Sequence, residues 1–209
     1  MEFDFLGEAE YEALTEWAVG RGTRSWCWGL SLVRSQRFAR TPLADVLPVE
    51  FVTQEEADPA NEPFTMDLTS VGQAHPIFQV RSDRVQNKAL WDRAAQLAGC
   101  SLVKRAKPGA DVLATNPITS VDGKPAVVVA VQNFGQGKSM VVTTDTTWRW
   151  SRVARLKGQG DVLYARFWSQ AGLLADRPRA ERRTGTAGCH HRPTRLRARR
   201  GGAGAGRQS

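Results

Sequence analysis

The sequence predicts an α/β protein. Three stretches repeat apolar residues at helical spacing, at Glu8–Val19, Asp83–Leu97 and Asp161–Ala171. Between the last two lie strand-like runs, Ala126–Val131 and Lys138–Thr144, joined by the glycine-rich turn Asn133–Gly137. The first run is apolar throughout and mostly β-branched, the pattern of a strand buried on both faces.

Each element follows from its residues. In Glu8–Val19, Leu14, Trp17 and Ala18 share a face, with Glu10, Glu12 and Glu16 between them; Gly20 and Gly22 supply the stop. Thr23–Ser31 is a poor strand of unusual composition. Thr41–Glu50 reads as a short helical turn fenced by Pro42 and Pro48, and Gln54–Pro63 as an acidic loop. Phe64–Leu68 alternates apolar and polar residues, as a half-buried strand does. Val71–Pro76 reads as a loop, with Ile77–Val80 extended after it. Asp83 is placed to cap the second helix and Gly99 to end it. Lys107-Pro108-Gly109 turns into the strand Asp111–Thr115, and Ile118–Lys124 is a loop centred on Asp122-Gly123. Leu163 and Phe167 set the inner face of the last helix, with Tyr164 and Trp168 beside it.

Charge divides the chain. Of 29 Lys/Arg, ten arginines fall in residues 172–209, against one Asp and one Glu; residues 1–171 hold 19 of each sign. The net charge of +8 therefore belongs to the tail. That tail lacks aromatic residues and apolar periodicity, which predicts disorder. Its nucleic-acid binding would be non-specific phosphate neutralisation, so no specific nucleic-acid partner is expected. No run approaches the ~18 apolar residues of a membrane span, and the acidic N-terminus does not resemble a signal peptide. As written, the chain is expected to be soluble.

Several motifs fail on their own chemistry. Gly137-Lys138-Ser139 lacks the upstream glycine of a phosphate loop, that position being Gln132, and a strand follows where the loop needs a helix. The three cysteines, Cys27, Cys100 and Cys189, form no framework, and Cys189-His190-His191 lacks further ligands at zinc spacing; no metal or cofactor is expected. Cys27, between Trp26 and Trp28, is the weak candidate nucleophile. His75 is followed by Pro76 and Ile77 rather than an acid, so no Cys-His-Glu triad assembles. The end of the second strand run carries the ligand-binding candidates Asp145, Trp148 and Arg149, just beyond a buried strand where α/β proteins place functional surfaces. Read as a continuing strand, this segment puts Trp148 and Trp150 on one face with Arg149 opposite. Trp148 is then expected to pack on Phe167 or Trp168, and the Asp145 carboxylate to cap the turn.

Seven segments, in order, carry a family resemblance: Thr41–Val49, Gly72-Gln-Ala-His-Pro-Ile77, Asn87-Lys-Ala-Leu-Trp91, Lys107–Ala114, Phe134-Gly-Gln-Gly-Lys138, Thr144-Asp-Thr-Thr-Trp-Arg-Trp150 and Arg166-Phe-Trp-Ser-Gln170. Together they resemble the glutamine amidotransferase-like domain of large bacterial membrane proteins, notably of planctomycetes. The resemblance covers about residues 5–171 and implies a three-layer, flavodoxin-like fold of the class I glutamine amidotransferase type, here N-terminally truncated. Many members lack the catalytic triad, so the resemblance implies a fold more than an activity. It also implies other domains of a membrane-associated protein as partners.

The chain departs from the family at Arg24–Gly29, where a small apolar strand is expected. A one-base shift in a coding sequence for Ser25–Gly29 restores Val-Val-Leu-Gly, which points to a local reading-frame error over residues 23–37. The tail from Gly172 has the composition of out-of-frame GC-rich DNA. Three functions are thus in view: a non-catalytic interaction or ligand-sensing module, a cysteine-dependent amidotransferase or amidohydrolase using Cys27, and a non-specific nucleic-acid binder acting through the tail.

Overall fold

In the computed structural model, residue 39 and residues 43–52, 60–135, 137–158 and 160–176 are described. The expected helix Glu8–Val19, the segment around Cys27 and residues 177–209 lie outside them. The elements are α1 (Leu43–Val46), β1 (Val49–Phe51), β2 (Ala60–Phe64), β3 (Asp67–Leu68), α2 (Ser70–Ala74), a 3-10 turn (Pro76–Phe78), α3 (Arg84–Asp92), β4 (Leu97–Cys100), β5 (Val103–Ala106), β6 (Asp111–Val121), β7 (Lys124–Phe134), β8 (Gly137–Val142), α4 (Trp148–Leu156) and α5 (Val162–Asp176).

A four-stranded sheet of order β3-β6-β7-β8 organises the fold, with β1 paired to β5 and β2 to β4. Every pairing among the described strands is antiparallel. The predicted hairpin is present, Val129 facing Val142 and Phe134 facing Gly137. Residues 126–131 are all buried, as their uniform apolarity requires. The strand lies between two apolar clusters. Val127, Ala130 and Val141 join Leu47, Val49 and Val103 on one side. Val128, Val131, Met140 and Val142 join Phe78, Trp91, Leu113 and Phe167 on the other.

The first side is closed by α1, β1 and β5. Lys107 ties them, its N–H donating to Pro48 O at 3.0 Å and its Nζ to Ala44 O and Asp45 O at 2.5 and 3.0 Å. Gln132 on β7 donates to Val46 O at 2.8 Å.

The second side is built on aromatic rings. Trp91 meets Phe78 edge-on at 5.0 Å between centroids and Trp150 at 5.4 Å, and Trp150 meets Phe167 at 5.5 Å. Burial of an indole demands a partner for its N–H. Trp91 Nε1 donates to Phe78 O at 2.8 Å and Trp150 Nε1 to Ala95 O at 3.1 Å. Asn87, one turn before Trp91, accepts from the N–H groups of Val80 and Arg81 at 2.9 and 3.0 Å and donates to Phe78 O at 2.9 Å. The loop before α3 is thus pinned by α3's own buried face.

Several elements differ from the sequence prediction. Ala60–Pro63, expected in a loop, pairs with β4, and the strand expected over Phe64–Leu68 is divided between β2 and β3. Val71–Pro76 is not a loop: Thr69 Oγ1 accepts from Gly72 N–H at 3.0 Å and starts α2. Ile77 and Phe78 lie in a 3-10 turn rather than extended chain, because Pro76 starts it and His75 caps it. Asp83 caps α3 as expected, accepting from Gln86 N–H at 2.7 Å. The helix ends at Asp92, however, and Leu97 turns to pair with Phe64. Gly99 is therefore not a helix stop; at φ +94° it lies in β4, where a Cβ would come within 2.2 Å of Ala60 O. β6 and β7 run through the expected loop and join at Asp122-Gly123, both at positive φ (50° and 73°) as a tight right-twisting hairpin requires. The last helix extends past Ala171 to Asp176, with Phe167, Ala171 and Leu174 buried on one face.

Gly72 packs beneath β6, where a Cβ would stand 1.9 Å from Leu113 O. Gly72→Ala should destabilise the protein by about 3 kcal/mol or more, because a backbone clash cannot relax by a rotamer change. Denaturant titration checks this against Gly109→Ala, where the space is open and only the positive φ of 85° opposes the change.

Candidate functional site

The segment leaving β8 holds the three residues singled out from sequence. Thr143 continues the sheet edge: its N–H donates to Val128 O at 2.9 Å and its hydroxyl to Val127 O at 2.9 Å. Its carbonyl accepts from Ser101 N–H at 2.8 Å. Thr144 Oγ1 and Thr146 Oγ1 lie 2.9 Å apart, and Thr146 N–H donates to Thr144 Oγ1 at 3.3 Å. Thr146 Oγ1 also accepts from Ala98 N–H at 3.0 Å, fastening the turn to β4.

Asp145 is exposed at the tip of this turn, and its carboxylate makes no hydrogen bond or ion pair among the described residues. The turn is capped by Thr144, not by Asp145. Trp148 opens α4 rather than extending the strand. A helix turns 100° per residue, so Trp148 and Trp150 diverge instead of sharing a face. Trp150 is buried at 4% exposure and is the residue packed on Phe167; Trp148 is 46% exposed, with the Arg152 guanidinium 5.9 Å above its ring. Arg149 Nε donates to Gln96 O at 2.8 Å, linking α4 to the chain between α3 and β4. The three candidates thus share one turn, with Asp145 free, Trp148 half open and Arg149 already committed to the backbone.

The described cysteine and histidine are built into the framework. Cys100 is buried and accepts from Asn116 Nδ2 at 3.5 Å; burial raises its thiol above the ordinary range, keeping it protonated. His75 Nδ1 accepts from Ile77 N–H at 3.3 Å. Burial, assisted by Lys138 and opposed by Asp111, lowers its pKa. Among the described residues, no group of three or more His, Cys, Asp and Glu could hold a metal ion.

A groove of about 810 Å3 lies between α3 and α4. One wall is Gln86, Ala89, Leu90 and Arg93; the other is Trp150, Val153, Ala154 and Lys157. Each wall follows the i, i+3, i+4, i+7 spacing of a single helix face. Arg81 stands at the α3 entrance and Leu163 of α5 contributes apolar surface. Sequence reading missed this groove. The periodic signal was present at Gln86–Arg93, but the alternation Trp148-Arg149-Trp150 disguised α4 as a strand.

Comparison with family models matches residues 30–173 to the family described as "Putative glutamine amidotransferase". The chain belongs to that family. Among solved structures, it is similar to the cytoplasmic protein STM3548 from Salmonella typhimurium, with 20% identity over 68% of this chain and 48% of that one and a TM-score of 0.45. A second, the cytoplasmic protein STM1381 from Salmonella typhimurium LT2, has 21% identity over the same shares and a TM-score of 0.43. The chain spans about half the length of each. Comparison with curated proteins finds no significant match.

Two predictions follow from this geometry. Trp150→Ala should cost about 3–5 kcal/mol and Trp148→Ala under about 1 kcal/mol, measured by denaturant unfolding. The lowered pKa of His75 means that the unfolded chain takes up a proton at higher pH than the folded one. Stability should therefore fall as pH drops from the ordinary histidine value of 6.5 toward the folded value. Comparing melting curves of the parent and His75→Gln between pH 7.5 and 5 checks this; the variant should lose that part of the slope.

Proposed function

We propose that this chain is a non-catalytic member of the glutamine amidotransferase-like family. In this reading it serves as a ligand-sensing or interaction module of a larger, membrane-associated bacterial protein of the kind found in planctomycetes. In this reading the domain has the three-layer, flavodoxin-like arrangement of that class. Among the described residues, no helix is long and apolar enough to cross a membrane.

One observation carries this reading: in four of the seven segments that mark the family, key side chains are committed to folding contacts. His75, within Gly72–Ile77, uses Nδ1 to cap a 3-10 turn. Asn87 and Trp91 meet at the Phe78 carbonyl. Trp150 and Phe167 face each other across α4 and α5. Gln170 donates to Gln79 O at 2.6 Å. A hydrolase of this class needs an accessible thiolate beside an imidazole that is oriented by an acid. Cys100 is buried and protonated, and among the described residues no hydrogen bond joins it to His75.

The competing reading makes Cys27 a nucleophile. Ammonia release from glutamine distinguishes the two. The purified protein should release none above the blank, and Cys27→Ser and Cys100→Ser should change no property beyond small shifts in stability. Glutamine hydrolysis abolished by Cys27→Ser would establish the enzyme instead.

A further inference from the structure

We propose that the groove between α3 and α4 binds a small amphipathic anion, an acyl or aryl body carrying a carboxylate or phosphate head. The proposal rests on the ligand-sensing reading above and names the ligand class. Its volume, about 810 Å3, suits a small organic ligand. Alanines at positions 89, 94 and 154 line it, leaving space where larger side chains would close the two helices together. Trp150 forms part of the lining with its indole N–H already given to Ala95 O, so it offers the ligand only hydrocarbon.

The charged residues in the described lining have one sign. Among the described residues, Arg81, Arg93 and Lys157 line the groove, and no Asp or Glu does. The ion pairs of the described residues, Lys88–Asp92, Arg105–Glu50 and Arg155–Asp161, involve none of the three. Arg93 and Lys157 are the C-cap residues of α3 and α4, where a cation favourably meets the carbonyl end of a helix. That does not account for Arg81. It precedes the Asp83 N-cap, beside the positive end of α3, where a second positive charge is unfavourable. Its backbone is held by Asn87, to which its N–H donates at 3.0 Å. A pinned arginine on the wrong end of the dipole, opening onto a groove whose described lining holds no carboxylate, fits an anionic ligand head. Guanidinium groups suit both carboxylate and phosphate, so both heads are tested.

The probe is 1-anilinonaphthalene-8-sulfonate, an apolar anion that brightens on burial. Its displacement is followed with decanoate, decyl phosphate and uncharged octyl glucoside, each below micelle formation. The parent should bind the dye, and both decyl anions should displace it while octyl glucoside does not. The better of the two identifies the preferred head. The exposed-site variant R81Q/R93Q/K157Q should weaken dye and decyl anions at least about tenfold while keeping the parent's melting temperature and circular dichroism. Ala154→Leu should fill the groove and block binding, with Ala89→Leu as the alternative filling. Absence of dye binding to the parent, affinity unchanged in the triple variant, or equal displacement by octyl glucoside would overturn the proposal. So would selective displacement by a Glu-rich peptide but by neither decyl anion, which would make the groove a protein-docking surface. Glutamine hydrolysis, assayed on the same preparation, reports separately on the non-catalytic reading.

Discussion

Edge-to-face packing of Trp91, Trp150, Phe167 and Phe78 holds the helical side of this protein together. The rings come from α3, α4, α5 and the 3-10 turn, with centroids 5.0–5.5 Å apart along the chain of contacts. Helices satisfy their own backbone groups, so side chains must set how they sit against one another. A buried ring is worth several kcal/mol and an edge-to-face pair about 0.5–1.5 kcal/mol more, against a total stability of about 5–15 kcal/mol. The two buried indole N–H groups add direction, because each must reach a particular carbonyl. The cluster therefore specifies the angle between helices as well as stabilising their burial.

That geometry reaches the groove. Trp91 points inward from α3, while Gln86, Ala89, Leu90 and Arg93 turn toward the groove; on α4, Trp150 belongs to both. The aromatic core thus holds the two walls at a fixed spacing, and whatever enters the groove touches residues rooted in it. Trp148 lies on the other side of α4, stacked with Arg152 and outside this arrangement. The threonine turn before α4 aims the helix by fastening it to β4 through Thr146 and Ala98.

The sheet was more legible than the helices that cover it. Ala126–Val131 could be read as a doubly buried strand because nothing in it tolerates water, and the glycine-rich turn after it left one way to return. Asp122-Gly123 was legible as a turn but not as the join of two eleven-residue strands, because the flanking Ile118–Val121 and Lys124-Pro125 are partly polar and mostly exposed. Leu97 misled because it continues the helical spacing of Leu90 and Ala94, yet it is drawn into β4 by Phe64. Trp148-Arg149-Trp150 misled more seriously. Three residues cannot distinguish a period of 2 from one of 3.6, and the hydroxyl network of Thr144 and Thr146 that turns the chain into a helix leaves no periodic mark. Asp145, Trp148 and Arg149 were correctly placed together beyond a strand end, but the anchoring ring is Trp150. The groove draws its walls from α3 and α4, about 60 residues apart in sequence, and no local pattern joins them.

Hydrogen exchange of the tryptophan indole protons, resolved by NMR, tests the aromatic cluster most directly. If the cluster holds α3, α4 and α5 together, the indole protons of Trp91 and Trp150 exchange only through global unfolding. Their protection then equals the stability measured by denaturant, while Trp148 exchanges quickly from its exposed site. Trp91 and Trp150 protons that exchange as fast as that of Trp148, in a protein whose sheet amides remain protected, would contradict the account.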